Sequence, residues 1–390
     1  MTTLFEQMPV SGPGVHVLVI GIGRYPHLIG GEAARLANRP LGLKQLSSPP
    51  LSAAKMLEWC LAPTLNPHAS GLQNPDSPLA SVEALISSAT PVAIETPTGT
   101  MEPEPATLKK IDTAFALWLD RMQSNDDNIG LFYFCGHGIM VADHYLLAED
   151  FGKSRNKPWE RAFDISNTIR AIEREVKGSV FFLIDACRMI ALDVAVTLGA
   201  NPVALKAVDL RKEVTRRSLS VIRAAGEGEL AFALDKKVSR FTEALYTALT
   251  GHCGVKAAGA ATWDVDGETL ANAVRRLLEN GNKSAKRRQV SSQEISGASV
   301  ALTKSTIVPN VAVELDLTPE DKRKVATISL TSAKGVKHPH DGAQGVFRIA
   351  LPRGFYTVEA EAKSGEFVAL KFEDQDLIPP VFDLTMSISS

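Results

Sequence analysis

Two apolar runs, each ending in a reactive side chain, constrain this chain more than any other feature. Ile129-Gly130-Leu131-Phe132-Tyr133-Phe134-Cys135 leads into Gly136-His137-Gly138, and Val180-Phe181-Phe182-Leu183-Ile184 leads into Asp185-Ala186-Cys187-Arg188. Near-continuous apolar runs of this length read as strands buried on both faces, the habit of parallel sheets covered by helices. Between them Ile165, Ile169, Ile172 and Val176 recur at helical spacing, and Gly178 stops that helix just before the second run. If both runs are parallel strands of one sheet, His137 and Cys187, 50 positions apart, emerge at the same carboxyl edge. Open α/β sheets place their sites along that edge. An imidazole there can take a thiol proton, and the resulting thiolate can attack a carbonyl carbon.

The flanking sequence extends the same pattern. Val15 to Ile22 is another apolar run, Val82 to Ile86 a second strand, and Leu219 to Ala225 a further one. Leu108, Ile111, Phe115, Trp118, Leu119 and Met122 predict an amphipathic helix over 107–123. Phe241, Leu245 and Leu249 predict another, as do Leu270, Val274, Leu277 and Leu278. Pro40, Pro49 and Pro50 break any long helix upstream, so only a short one is expected from Ala53 to Leu61. Gly21-Ile22-Gly23 after a strand suggests a dinucleotide fingerprint, but Pro26 stands where the third glycine belongs, and that reading is rejected. Residues 191–220 form a long loop carrying Lys206, Arg211, Lys212, Arg216 and Arg217. From about residue 305 the periodicity changes to two, as in Val311, Val313, Leu315 and Leu317. Roughly six short strands there read as a small antiparallel β-sandwich. The expected domains are 1–304, an α/β domain with its basic loop at 191–220, and 305–390, an all-β accessory domain.

Composition excludes several classes. The formal net charge of −2 provides no bulk field for nucleic acid or an anionic membrane. Cys60, Cys135, Cys187 and Cys253 lie far apart with no CxxC spacing, so neither a disulfide framework nor a zinc site is expected. Cys135-Gly136-His137 could give two metal ligands but lacks a second pair. His338-Pro339-His340-Asp341, on an expected Gly/Pro-rich loop, reads as solvent-facing. No metal or cofactor is expected, and no pattern bears on calcium. Residues 1–14 lack a basic segment followed by an apolar core, and no run approaches the ~20 residues that span a bilayer. A reducing cytoplasm, which would keep Cys187 a free thiol, is the expected setting.

The order of strand, helix, strand ending in Gly-His-Gly, helix, and strand ending in Asp-Ala-Cys-Arg resembles the caspase-like cysteine peptidases, the bacterial and metacaspase branches above all. A His-to-Cys separation of about 50 residues and a Gln-Ala-Cys signature are known features of caspases. Here Asp185 replaces the Gln and Met189 the final Gly of that signature. Arg223 to Ala231 and Phe241 to Leu245 are similar to segments of the family's small-subunit half, and the resemblance covers about residues 15–300. Cys135 stands where the family often has Ser, Gly23 where it often has Asn, and Leu51-Ser52-Ala53-Ala54 replaces an Asn-Asp-Ala segment.

The resemblance implies an α/β fold with a caspase-like, mostly parallel sheet flanked by helices, and a cysteine endopeptidase. Cys187 would be the nucleophile and His137 the base, later the acid that protonates the leaving amine. Gly136 and Gly138 allow close backbone approach of a substrate, and the N–H groups of Gly138 and Cys187 would form the oxyanion hole. Asp185, two positions before the nucleophile and on its face of the strand, would line the S1 pocket and attract Arg or Lys at P1. Arg24 comes from the region of the family's aspartate-binding arginine and would instead favour an acidic P1. Cys135 shares the face of His137. Residues 222–226, with Arg223 and Ala225, would offer a strand edge on which a peptide adds.

The basic loop falls where the family separates large and small subunits, which makes Lys206, Arg211, Lys212, Arg216 and Arg217 candidates for self-cleavage. The implied partners are a protein substrate, in a setting such as bacterial stress or phage defence, and an activator, substrate or second copy held by the β-sandwich. The alternative is a catalytically silent scaffold of the same fold, against which the intact His137 and Cys187 argue.

Overall fold

The structure is a computed structural model. It describes residues 3–7, 12–34, 42–154, 157–188, 202–212, 217–226, 236–283, 285 and 287–388. Contacts gather into two units, residues 1–250 with 264–304, and residues 251–263 with 305–390.

The first unit is built on a seven-stranded sheet. Its strands are β1 (Thr3–Glu6), β2 (Val15–Ile22), β3 (Leu79–Ser87), β4 (Ile129–Gly136), β5 (Ser179–Ala186), β6 (Ser218–Arg223) and β7 (Ser292–Gly297). They lie in the order β1-β3-β2-β4-β5-β6-β7. Strands β3, β2, β4, β5 and β6 are parallel, while β1 and β7 run antiparallel at the two margins. The helices are α1 (Ser48–Leu65), α2 (Leu108–Met122), α3 (Ile165–Glu175), α4 (Arg240–Thr247) and α5 (Gly267–Asn282).

The two faces follow from the period of two along each strand. Phe132, Phe134, Phe182 and Ile184 are buried with Phe115 and Trp118 of α2 and Ile169 and Ile172 of α3. The intervening positions, among them Tyr133, Cys135 and Asp185, therefore face the other way, where α1, α4 and α5 pack. His137 and Cys187 continue that second face just past the ends of β4 and β5, which pair in register from Ser179↔Ile129 to Ala186↔Gly136.

Helix α1 is longer than the short helix expected at 53–61. Pro49 and Pro50 occupy its first turn, where a missing N–H leaves no intrahelical bond unmade, so the prolines start the helix rather than break it. The Gly-Ile-Gly segment serves this same helix. A Cβ on Gly23 would lie 2.3 Å from the Leu46 carbonyl oxygen, and one on Gly21 2.5 Å from the Ala53 Cβ. Both glycines let the start of α1 close onto the end of β2.

The second unit holds β8 (Asn310–Thr318), β9 (Ala326–Ser332), β10 (Lys337–Asp341), β11 (Phe347–Pro352), β12 (Gly354–Ala362), β13 (Leu370–Leu377) and β14 (Val381–Ser387). These form a three-stranded sheet β11-β8-β14 and a four-stranded sheet β10-β9-β12-β13. Val313, Leu315, Ile328, Val358 and Met386 join the two in one core. The pairing is antiparallel except for β8 with β14, which run parallel. His338 to Asp341, expected in a loop, belong to strand β10. His340 stacks on Phe347 with ring centres 4.6 Å apart and donates from Nε2 to the Gly345 carbonyl at 3.0 Å, so this ring has a packing role.

Candidate active site

The ends of β2, β4 and β5, the start of α1 and the residue before α4 surround a cleft of about 840 Å³ lined by Arg24, Cys135, His137, Asp185, Cys187 and Ser239. It opens at the carboxyl edge of the parallel strands, where the chain goes from β2 to β3 on one side and later to β4 on the other. That reversal of strand order leaves a crevice, because successive crossovers depart in opposite directions. A cavity of about 920 Å³ between α1, Ile94 and α4 is larger, but no cysteine or histidine lines it and it offers no acyl-transfer chemistry.

His137 is held in one tautomer. Its Nε2 lies 2.7 Å from the Lys44 carbonyl oxygen. A carbonyl only accepts, so the proton sits on Nε2 and the Nδ1 lone pair is left able to accept a proton. The backbone N–H of His137 donates to the Tyr25 hydroxyl at 2.9 Å, and the two rings lie 4.9 Å apart. Burial lowers the His137 pKa to about 4, with the Lys44 carbonyl opposing that shift. The imidazole is therefore neutral near pH 7 and able to accept a proton.

Cys187 is partly exposed, whereas Cys60, Cys135 and Cys253 are buried. Its carbonyl oxygen lies 3.1 Å from His144 Nε2, which donates to it. Burial first, then Arg188 and Arg223, lower the His144 pKa to about 3. This second imidazole is thus a neutral donor that fixes the backbone of Cys187. A Cβ on Gly138 would lie 2.6 Å from the Cys187 carbonyl oxygen and 2.7 Å from His144 Nε2, so only glycine fits there. Gly138 pairs with Leu146, and the Leu147 N–H donates to the His137 carbonyl at 3.1 Å. Those facts make Gly138 and Leu146 a non-hydrogen-bonded pair, in which the Gly138 N–H points away from the Leu146 strand.

Asp185 forms part of the cleft wall and is only 3% exposed. Its Oδ2 accepts from the hydroxyls of Ser239 and Thr242, the latter at 2.7 Å, and from Cys135 Sγ at 3.4 Å. Burial raises its pKa, and the hydrogen bonds from Ser239, Thr242 and Cys135 oppose that rise. Ser239 also caps α4 by accepting the Thr242 N–H at 3.0 Å. Burial and the charge of Asp185 push the Cys135 thiol well above its ordinary value. That thiol stays protonated and donates, as a second nucleophile would not.

The remaining residues singled out in the sequence fall in varied places. Arg24 lines the cleft but is bonded on both sides, to Glu149 and to Glu32. Arg223 and Ala225 do not sit on an open strand edge, which corrects the expectation of peptide addition at 222–226. Strand β7 pairs with β6 from Ser218↔Gly297 to Arg223↔Ser292. Beyond it, Gln289 Nε2 donates to the Ala224 carbonyl at 2.9 Å and Ser292 Oγ to the Ala225 carbonyl at 3.1 Å. On the β7 side, therefore, residues 222–226 are already bonded by the chain's own segment 289–297.

In the basic loop Lys206 and Lys212 both reach Glu175, at 3.3 and 3.4 Å. Arg217 pairs with Asp127, and its N–H donates to the Lys177 carbonyl at 2.8 Å. The Arg211 side chain is 91% exposed and pairs with its near neighbour Asp209. Arg216 lies outside the described residues.

Sequence reasoning missed Tyr25, the Lys44 carbonyl, His144, Ser239 and Thr242. Only Ser239 had a signal, since Ser three positions before Thr at the start of an apolar helical pattern reads as an N-cap. Among the described residues no group of three or more His, Cys, Asp or Glu side chains could hold a metal ion, and no helix is long and apolar enough to cross a membrane.

The family model for the caspase domain, Peptidase_C14, matches residues 99–302, a span that holds both His137 and Cys187 and slightly more than half of the chain. The chain belongs to the caspase family. Members of that family are cysteine-type peptidases, so this caspase-family chain is a hydrolase acting on protein substrates. The mixed α/β sheet with flanking helices is the fold class that the resemblance implied. A relative in Sinorhizobium fredii (strain NBRC 101917 / NGR234), named "Uncharacterized protein y4kE", is 32% identical over 289 residues, which is 73% of this chain and 82% of the relative. The crystal structure of caspase-1 from Spodoptera frugiperda superimposes with a TM-score of 0.40 at 12% identity, over 77% of this chain and 98% of that one.

Proposed function

We propose that this caspase-family peptidase is an endopeptidase that cleaves after Arg or Lys, with Cys187 as nucleophile and His137 as general base. The observation that carries the reading is the single cleft that His137, Cys187 and Asp185 share at the carboxyl edge of the sheet. His137 Nδ1 takes the Cys187 proton, and the thiolate adds to the substrate carbonyl carbon. The resulting oxyanion lies against the N–H groups of Gly138 and Cys187, each donor contributing about 3 kcal/mol to the transition state. Collapse breaks the C–N bond, and the imidazolium returns its proton to the leaving amine. Water then attacks the thioester with His137 again as base, releasing the acid and the free thiol. Throughout, the Lys44 carbonyl accepts the Nε2–H, which favours the imidazolium when it forms.

The buried carboxylate of Asp185 supports the preference for a basic P1 residue. Arg24, the one argument for an acidic P1, already has Glu149 and Glu32 as partners, so an incoming carboxylate would compete with two in place. The test is covalent. A peptidyl electrophile with P1 arginine is expected to modify wild-type protein at Cys187, located by peptide mapping, and to leave Cys187→Ala and His137→Ala unmodified. Absence of modification in wild type under every activating condition would favour a silent scaffold.

The finer features of the reading are self-processing, domain roles and setting. Among the described basic loop positions Arg211 is the best candidate, because its side chain is the most exposed and pairs only with its near neighbour Asp209, while Lys206, Lys212 and Arg217 are held by Glu175 and Asp127 from other elements. Wild-type preparations are expected to part after Arg211 into two fragments, while Arg211→Gln and Cys187→Ala stay as one chain. A fully active preparation that remains one chain would contradict self-processing. In this reading residues 1–304 form the peptidase domain. Residues 305–390 hold a regulatory partner, and the protein works in the cytoplasm of a bacterium under stress or phage attack.

A further inference from the structure

We infer that Thr242 and Tyr133 are positioning residues for specificity: a hydroxyl relay from Tyr133 through Thr242 fixes Asp185 as an ionised acceptor with one oxygen reserved for the P1 cation. The inference rests on the reading of Asp185 as the group that receives P1.

The direction of the relay follows from counting hydrogens. The Thr242 hydroxyl has one, and at 2.7 Å from Asp185 Oδ2 it goes to the carboxylate. The Tyr133 hydroxyl lies 2.6 Å from Thr242 Oγ1, so Tyr133 must be the donor in that pair. Ser239 likewise gives its hydrogen to Oδ2 while its oxygen accepts the Thr242 N–H. Thr242 is thereby held at its backbone and its side chain at once. All three donors to Asp185, Ser239, Thr242 and Cys135, take Oδ2. Among the described residues no group donates to Oδ1, which is the oxygen left for a guanidinium or ammonium entering the cleft.

An apolar pocket alone would neutralise a buried carboxyl group, and a neutral acid does not select a cation. Hydrogen bonds to the charged form oppose this, because each favours the carboxylate over the acid. Among the described residues the titratable groups beside Asp185 are the Cys135 thiol and the Tyr133 phenol, both on β4, and burial raises both well above their ordinary values, while His137 and Cys187 share its cleft. Helix α4 and its capping residue present the hydroxyls of Thr242 and Ser239, and α1 presents Ser52, whose oxygen accepts the Ser239 N–H at 3.0 Å. Among the described residues no cation pairs with Asp185. Its charge therefore depends on these donors.

The experiment compares wild type, Thr242→Val, Thr242→Ser, Tyr133→Phe and Asp185→Asn. For each, kcat/KM on a P1-arginine peptide is followed across pH, alongside alkylation of Cys187 by iodoacetamide, a small neutral probe with no need of the S1 pocket. Thr242→Val keeps the shape and removes the hydroxyl. It is expected to lower kcat/KM about tenfold, the usual effect of losing one hydrogen bond to a charged group. Its acid limb should move to higher pH, since losing a donor to the carboxylate raises the pKa at which the P1 acceptor is neutralised. Tyr133→Phe should show a smaller change in the same direction, and Thr242→Ser should behave as wild type. Alkylation should be unchanged in Thr242→Val and Tyr133→Phe.

An unshifted acid limb in both Thr242→Val and Tyr133→Phe, with Asp185→Asn impaired, overturns the inference alone. So does an equal loss of peptidase activity and alkylation. Full P1-arginine activity in Asp185→Asn overturns the reading of the pocket and the inference with it. If Thr242→Val fails to fold, Tyr133→Phe decides by the same pH profile.

Discussion

Alanine at position 137 is expected to lower kcat/KM on a P1-arginine peptide by roughly 10²–10⁴-fold near pH 7, the range lost with a general base. The loss has two sources. Without the imidazole, the Cys187 proton must leave to water, and the leaving amine departs without an acid. The ring at this site is prepared for both steps, because Nε2–H to the Lys44 carbonyl fixes the tautomer and burial keeps the ring neutral, with a pKa of about 4. His144 cannot substitute. Its Nε2 donates to the Cys187 carbonyl and its pKa is held near 3, so it holds backbone rather than accepting the thiol proton. Added imidazole is expected to restore part of the activity of His137→Ala and none of that of Cys187→Ala. Kinetics with and without imidazole check this, and equal activities of wild type and His137→Ala would remove the base from the account.

Asp185→Asn is expected to lower kcat/KM for P1 arginine and lysine by roughly 10²-fold, the scale of a desolvated charge pair deprived of one partner. The asparagine carbonyl can take the place of Oδ2 and keep the donors from Ser239 and Thr242. Its NH2 then occupies the place of Oδ1 and meets the P1 cation donor to donor. Folding should survive the change, because a buried charge is replaced by an isosteric neutral group. Unchanged Tm with collapsed P1-arginine turnover is the expected combination. The variant should gain no appreciable turnover after Asp, since Arg24 stays engaged by Glu149 and Glu32. Retained P1-arginine turnover would remove Asp185 from the pocket.

Much of the parallel sheet was legible because a strand buried on both faces must be apolar along its whole length. A reactive side chain at the end of such a run, as at His137 and Cys187, is conspicuous against it. The residues that orient these two were hidden for physical reasons. The Lys44 carbonyl has no side-chain signature at all. Tyr25, in the loop after β2, and His144, at the start of the short strand His144–Leu147, act through a hydroxyl and a ring nitrogen, and only the folded chain brings them near. The cover over Ile222 and Arg223 was not legible because β7, about 70 residues further on, returns antiparallel beside them, and no local pattern announces a long-range antiparallel return. The strand through His338 and His340 was missed because its alternation is polar on both faces and pairing with β9 decides it.

The most direct test is hydrolysis of three fluorogenic peptides that differ only at P1, Arg, Lys and Asp, by wild type and Cys187→Ala. Turnover of the Arg and Lys peptides by wild type, absent in Cys187→Ala, with the Asp peptide left intact, is the predicted result. Cleavage of the Asp peptide in preference to the other two, or activity that persists in Cys187→Ala, would contradict it.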